Sequence, residues 1–318
     1  MKGYFMDYKF FKKVVERRFN EFLPEKYRDM RLEIKKIPKI NGAVDSIYLL
    51  DEKKNLKATP TIYLSDMFEH YNVVKDFDVV IKSAVDKMIK GFNEANNCEI
   101  DFNNSDEKIV FQFINFEQNK ELLKNIPHRK YLDLAIIYRF VISIEEEGIK
   151  SFIINNSVLD KLGYLEQDLY ERAVVNTEKI FTPTIRSMND AIRYILDNNN
   201  APDEMIEEFV SDKQTEKIMW IISNPLGING AISMFYEDKL YNLANNINSD
   251  LYIMPSSIHE VIAVSSKFGN ADDLAKLVRE VNLQEVSLNE RLSNQVYYYD
   301  RELRKVIIAT DNNKSLNC

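Results

Sequence analysis

Residues 251–264, Leu-Tyr-Ile-Met-Pro-Ser-Ser-Ile-His-Glu-Val-Ile-Ala-Val, set the tightest limit on how this chain can fold. Two apolar runs of strand length flank a polar break from Pro255 to Glu260. A connection that short cannot hold the crossover helix that joins parallel strands, so the chain must reverse and the runs become antiparallel neighbours. Two further pairs of runs repeat the pattern: 31–37 with 44–50 around Asn41-Gly42, and 296–299 with 306–308 around residues 300–304. Hairpins outnumber β-α-β crossovers. The expectation is an α+β fold of mixed, mostly antiparallel sheets with helices packed on them, not a doubly wound parallel sheet.

Apolar residues at i, i+3, i+4 spacing predict helices over 7–22, where Phe11, Val14, Val15, Phe19 and Phe22 share a face, and over 76–94, where the stripe runs from Phe77 to Phe92. Shorter stripes predict helices over 165–178 (Leu165, Leu169, Ala173), 187–197, 231–245 and 271–283 (Leu274, Leu277, Val278, Val281). Thr61 to Leu64 is expected as a short strand, with Ser65 capping the turn that follows. Strands are also expected at 109–116, 151–154 and 218–222, and as one long run from Tyr131 to Ile144 whose only charges are Asp133 and Arg139. The string Ile126-Pro127-His128-Arg129-Lys130 is the expected boundary between a smaller α/β domain, 1–126, and a larger α+β domain, 127–309, followed by a polar tail, 310–318.

The 318 residues are 45% hydrophobic and 11% aromatic, enough for a sizeable core and too much for a disordered chain. The net charge of −8 is unevenly spread: residues 1–130 hold 24 Lys and Arg against 21 Asp and Glu, residues 131–318 hold 18 against 29. An acidic body repels a nucleic-acid backbone, so nucleic acid is expected only through residues 1–40, which carry 12 basic and 6 acidic side chains. Lys12, Lys13, Arg17 and Arg18 also read as the solvated face of a helix. Cys98 and Cys318 form no Cys-x-x-Cys pair, which fits a reducing compartment. No apolar run approaches the ~18 residues of a membrane span, and the charged start is unlike a signal peptide. A cytoplasmic protein is expected.

Several strings together carry a resemblance: 126–139, Thr-Ile-Tyr-Leu at 61–64, Ser-Asn at 223–224, Gly-Ala at 230–231, Pro-Ser-Ser-Ile-His-Glu-Val at 255–261, Val-Arg-Glu-Val-Asn at 278–282, and 292–301. The chain resembles the domain-of-unknown-function family fifty-six eighty-eight. The resemblance implies a protein of gut anaerobes and their mobile elements, found near conjugation and anti-restriction genes. It supplies no activity, cofactor or catalytic residue.

The candidate catalytic residues are Ser256, Ser257, His259 and Glu260. A serine nucleophile needs a base within hydrogen-bond reach and a third group to orient that base. In a two-strand hairpin Ser257 and His259 share a face and Glu260 points away, so the acid would come from Asp133 or Asp300. The plainer reading is a capped turn, with the serines closing on backbone amides and His259 satisfying a carbonyl. Candidate ligand-binding residues are Asn224 and Gly230 in a strand-to-helix loop, Tyr298 and Arg301 at the last hairpin, and Asp133. The loop lacks the Lys-Ser/Thr and Gly-x-Gly-x-x-Gly signatures of phosphate binding. Asp66, Glu69 and His70 fall on one helical face but lack the paired histidines of a metal helix, so no metal and no cofactor is expected. With no complete catalytic set, the expected function is a non-enzymatic binding protein of a mobile genetic element with a protein partner, and counteracting a host defence is the role considered for it. A hydrolase or transferase built on 256–260 is the alternative, and nucleic-acid binding through 1–40 a second.

Overall fold

The computed structural model describes residues 6–50, 60–97, 102, 104–145, 148–198, 202 and 218–310. The chain forms two compact units, 1–101 and 102–318, each with its own core. Cys98, Cys318 and the tail from 311 lie outside the described residues. Among the described residues every strand pair is antiparallel, and the fold is α+β. No described helix is long and apolar enough to cross a membrane.

In the first unit, β1 (Arg31–Lys39) and β2 (Gly42–Leu50) form a hairpin, and β3 (Thr61–Tyr63) pairs with β2. Lys39 pairs with Gly42, so the turn residues are Ile40 and Asn41. Asn41 takes the left-handed φ of 60° that asparagine accepts more readily than most residues. The helix Tyr8–Arg18 starts at Asp7, whose carboxylate accepts from the Phe10 amide at 2.7 Å, and it tightens into a 3₁₀ turn at Phe19–Phe22. Phe11, Val15 and Phe19 are buried with the stripe of the helix Phe77–Asn97, and Phe11 meets Phe77 edge-to-face at 5.7 Å. Ser65 is not a cap: the helix Leu64–Val74 has already begun, and its hydroxyl donates to Asp66. Four of the twelve basic side chains of residues 1–40 are held in these ion pairs: Lys12 with Asp45, Arg18 with Glu21 and Asp78, and Arg31 and Lys35 with Glu33.

The second unit carries two sheets. In the smaller one, β6 (Leu134–Glu145) has β4 (Ile109–Asn115) on one side and both β5 (His128–Tyr131) and β7 (Gly148–Ile153) on the other. In the larger, the order is β13 (Lys305–Ile308), β12 (Tyr297–Asp300), β10 (Leu251–Met254), β11 (Val261–Ser265), β9 (Met219–Ser223), β8 (Thr184–Ser187). One core spans both sheets: Phe111, Phe113, Tyr138 and Phe140 from the first with Trp220, Ile253, Tyr297 and Tyr299 from the second.

Four expectations need correction. The compact units divide at 101/102, not 126/127, because β4 is hydrogen-bonded to β6 along its whole length, from Ile109↔Phe140 to Asn115↔Leu134. The expected long strand from Tyr131 is two strands: Tyr131 pairs with Leu134, and the chain reverses through Leu132, at φ 56°, and Asp133. The expected helix 231–245 is a 3₁₀ turn, Gly230–Phe235, followed by the helix Glu237–Asn246. In the helix Ala271–Gln284 the buried residues are Ala275, Val278 and Asn282, while Leu277 is exposed; likewise Leu165 is exposed before the helix Glu166–Ile180.

The free edge of β4 is closed by that last helix. Thr177 Oγ1 accepts from the Phe111 amide at 2.9 Å and Asn176 Nδ2 donates to the Ile109 carbonyl at 3.0 Å, both buried. Unpaired edge groups are thereby satisfied by side chains instead of another strand. Thr177→Val keeps the shape and orphans the Phe111 amide. The expected loss, read by urea denaturation, is about 1–3 kcal/mol; unchanged stability would show that the edge is satisfied some other way.

Candidate functional site

The segment Pro255–Glu260 joins β10 to β11, whose ladder ends at Met254↔Ile262. It is not a tight turn. It runs alongside residues 290–293 and exchanges backbone hydrogen bonds with them: Leu292 N to Ser256 O, Ser293 N to Pro255 O and Ile258 N to Glu290 O, each 2.9 Å, with a β-bridge between Ser257 and Arg291. On its other side, Ala231 N donates to Ile258 O at 3.1 Å and Ser223 Oγ to His259 O at 2.8 Å. Gly230 fits there because it has no side chain. A Cβ would lie 2.1 Å from Ser223 Oγ and 2.2 Å from His259 O.

These contacts fix what the polar side chains face. Ser257 is 6% exposed, and its hydroxyl accepts from the His259 backbone amide at 3.0 Å. His259 Nδ1 lies 3.1 Å from the Gly227 carbonyl, so that nitrogen carries the proton, and Nε2 lies 3.5 Å from Glu290 Oε1. A serine triad needs the opposite arrangement, with Nε2 on the nucleophile and Nδ1–H on a carboxylate. Burial holds the Glu260 carboxyl above its ordinary range, with His259 pulling it down and Glu290 pushing it up. Asp300 accepts from the Glu302 and Leu303 amides in its own turn. Asn224 braces its loop, its Oδ1 accepting from Leu226 N at 2.9 Å and its Nδ2 donating to Ile228 O at 2.8 Å. Tyr298 donates to Asp250 at 2.8 Å, and Arg301 donates to Asp250 through its amide and to Asn248 through its guanidinium. Burial, then the bond to Asp250, push the Tyr298 phenol up to about 12. The structure thus gathers Ser257, His259, Asn224 and Gly230 around one loop and leaves Tyr298 and Arg301 in another cluster.

Asp133 stands apart from both. Its turn position brings it to a cavity of about 330 Å³ with Asn115 and Glu117, with Arg279, Asn282 and Leu283 of the helix Ala271–Gln284, and with residues 291–295. Ser293 Oγ donates to Asp133 Oδ2 at 2.6 Å and Tyr297 Oη to Oδ1 at 2.5 Å. Burial, then the Asp133 charge and hydrogen bond, push the Tyr297 phenol well above its ordinary value, so it remains a donor. Asn115 Nδ2 donates to Leu292 O at 3.0 Å, and Asn282 Nδ2 to Ser293 O at 2.9 Å and Asn294 Oδ1 at 2.7 Å. The Asn282 Oδ1 atom is buried and has no partner. This is a built polar pocket with charges of both signs and no paired nucleophile and base. Asn282, Arg279, Ser293 and Asn115 are not among the candidate site residues read from the sequence, although the first three fall in the strings 278–282 and 292–301 that carry the resemblance. The available signal was Asn282 itself, an amide on the inward stripe of a helix, four residues after Val278.

Among the described residues no group of three or more His, Cys, Asp and Glu is placed to hold a metal ion. Asp66 and His70 line a separate cavity of about 170 Å³ in the first unit, together with Lys87.

The family model for a family of unknown function, DUF5688, matches residues 8–301, and the chain belongs to that family. No curated protein and no solved structure matches it. The family description assigns no role to any residue, so the roles of the loop follow from its packing, and Gly230 tests them. Gly230→Ala is expected to lower stability by about 1–3 kcal/mol or more, because both clashing neighbours are hydrogen-bonded to each other. A thermal melt unchanged from the parent would mean that the 223–231 and 255–260 segments do not pack this closely.

Proposed function

We propose that this chain works by binding, not by turnover, and that its partner is a protein. The observation that carries the reading is the engagement of Ser257 and His259 with backbone: the hydroxyl receives the His259 amide and the imidazole Nδ1–H meets the Gly227 carbonyl. Side chains committed in this way are structural clasps. The resemblance to proteins of mobile genetic elements supports a place among factors that such elements carry, acting in the cytoplasm, with a host defence component as the partner to be sought. The acidic second unit suits that role, since a surface rich in carboxylates can occupy a basic site made for nucleic acid. The ion pairs that hold Lys12, Arg18, Arg31 and Lys35 favour protein over nucleic acid as the partner of the first unit.

A fluorophosphonate probe, which reacts with activated serines, separates this reading from the hydrolase. The full chain is expected to remain unlabelled at Ser256 and Ser257, and His259→Ala is expected to lower the melting temperature by a few degrees through loss of one hydrogen bond, about 1 kcal/mol. Labelling at either serine that disappears in His259→Ala would establish the enzyme instead. A pull-down from host lysate that recovers no protein would count against the partner.

A further inference from the structure

The cavity beside Asp133 has an electrostatic property that its surroundings do not explain. Four charged side chains line it, Asp133, Glu117, Arg279 and Arg291. Glu117 pairs with Lys120 and Arg291 donates to the Val286 carbonyl, whereas Asp133 and Arg279 have no ion-pair partner among the described residues. Asp133 receives two hydroxyl donors, from Ser293 and Tyr297, but no cation pairs with it. Arg279, half-buried on the facing helix, makes no hydrogen bond or ion pair with any other described residue. The two do not pair with each other either. Surface charges elsewhere on this unit find partners readily, as in Arg172 with Asp106 and Arg304 with Glu237 and Asp238. A carboxylate and a guanidinium held apart across a partly desolvated cavity are each stabilised by an opposite charge from outside.

The third feature is the orphaned acceptor. Asn282 is 2% exposed, and its Oδ1 has no donor among the described residues, which structures seldom leave standing. Its amide nitrogen is held by the Ser293 carbonyl and by the side chain of Asn294. Asn294 is exposed, so it can yield to an incoming group without disturbing the core.

We propose that this cavity is a binding site for a zwitterion of amino-acid size, its ammonium on Asp133 and its carboxylate on Arg279. A volume of about 330 Å³ lies at the low end for small-molecule sites, which suits a free α-amino acid or a dipeptide. A donor on the ligand, an amide or a hydroxyl, supplies what Asn282 Oδ1 lacks. The carboxylate oxygens of Asp133 retain lone pairs beyond the two that Ser293 and Tyr297 use, so an ammonium adds to that network without breaking it. The site is independent of the partner-binding role, and its failure would leave that role standing.

The test is calorimetric titration of the full chain with the common α-amino acids, each at up to about 10 mM, followed by the N-acetyl and the amide derivatives of the best binder. At least one free amino acid is expected to bind, and blocking either terminus is expected to weaken it about tenfold or more. Asp133→Asn is expected to abolish the preference for a free ammonium and Arg279→Gln the preference for a free carboxylate. Arg279 makes no hydrogen bond or ion pair with another described residue, so Arg279→Gln orphans no partner and reports on the site even if Asp133→Asn folds poorly. Absence of binding by every amino acid, equal binding of the blocked derivatives, or undiminished affinity in Arg279→Gln would each overturn the proposal.

Discussion

One carboxylate ties the two sheets of the second unit together. Asp133 sits in the two-residue turn between β5 and β6, and it receives hydroxyl donors from Ser293 and from Tyr297, the first residue of β12. A charged acceptor makes stronger hydrogen bonds than a neutral one, and here both oxygens are engaged from the same neighbouring segment. Once that segment is fixed, residues 291–293 are positioned to pair with Ser256, Ser257 and Pro255, and the loop after β10 acquires its shape. The cavity is the space left between the Asp133 turn, residues 291–295 and the helix Ala271–Gln284. The bond from Ser293 to Asp133 is part of its wall.

The same geometry decides what the serine and histidine of the loop do. A polar residue between two strands has two uses: it can face a ligand, or it can satisfy the backbone groups that the strands leave unpaired. A wide connection pressed between 223–231 and 290–293 has many such groups to satisfy. Ser257, His259, Ser223 and Asn224 all bond to backbone here. Gly230 allows the close approach that makes those bonds possible.

How much of this was legible in the sequence follows from what each pattern reports. Apolar periodicity locates strands and helices, so the hairpins β1–β2 and β12–β13 and the helix Phe77–Asn97 fall close to where the spacing puts them. It is blind to a reversal that leaves no gap in the apolar run. Leu132 and Asp133 interrupt Tyr131 to Ile144 with a turn that places a leucine at φ 56°, a conformation no propensity would assign it. That missed turn is why Asp133 read as a strand residue. It is also why β4, which pairs with the strand the turn creates, was placed in the wrong unit. Asp133 stands among the sequence candidates as an acid for the 256–260 turn and as a ligand-binding residue; its partners, Ser293 and Tyr297, lie too far along the chain for any spacing rule to connect. Asn282 escapes the spacing argument because the apolar stripe Leu274, Leu277, Val278 and Val281 overlaps the inward face only at Val278; that face also carries Ala275 and the amide.

The central claim is that Asp133 and Tyr297 hold the two sheets together as a coupled pair. A double-mutant cycle measures that coupling directly, using Asp133→Asn, Tyr297→Phe and the combination, with stability read by chemical denaturation. The structure predicts that the double variant is more stable than the sum of the single losses allows, with a coupling energy of about 1.5–3 kcal/mol, the range for a hydrogen bond to a charged group. Additive losses would mean that the two residues act separately and that something else positions residues 291–295.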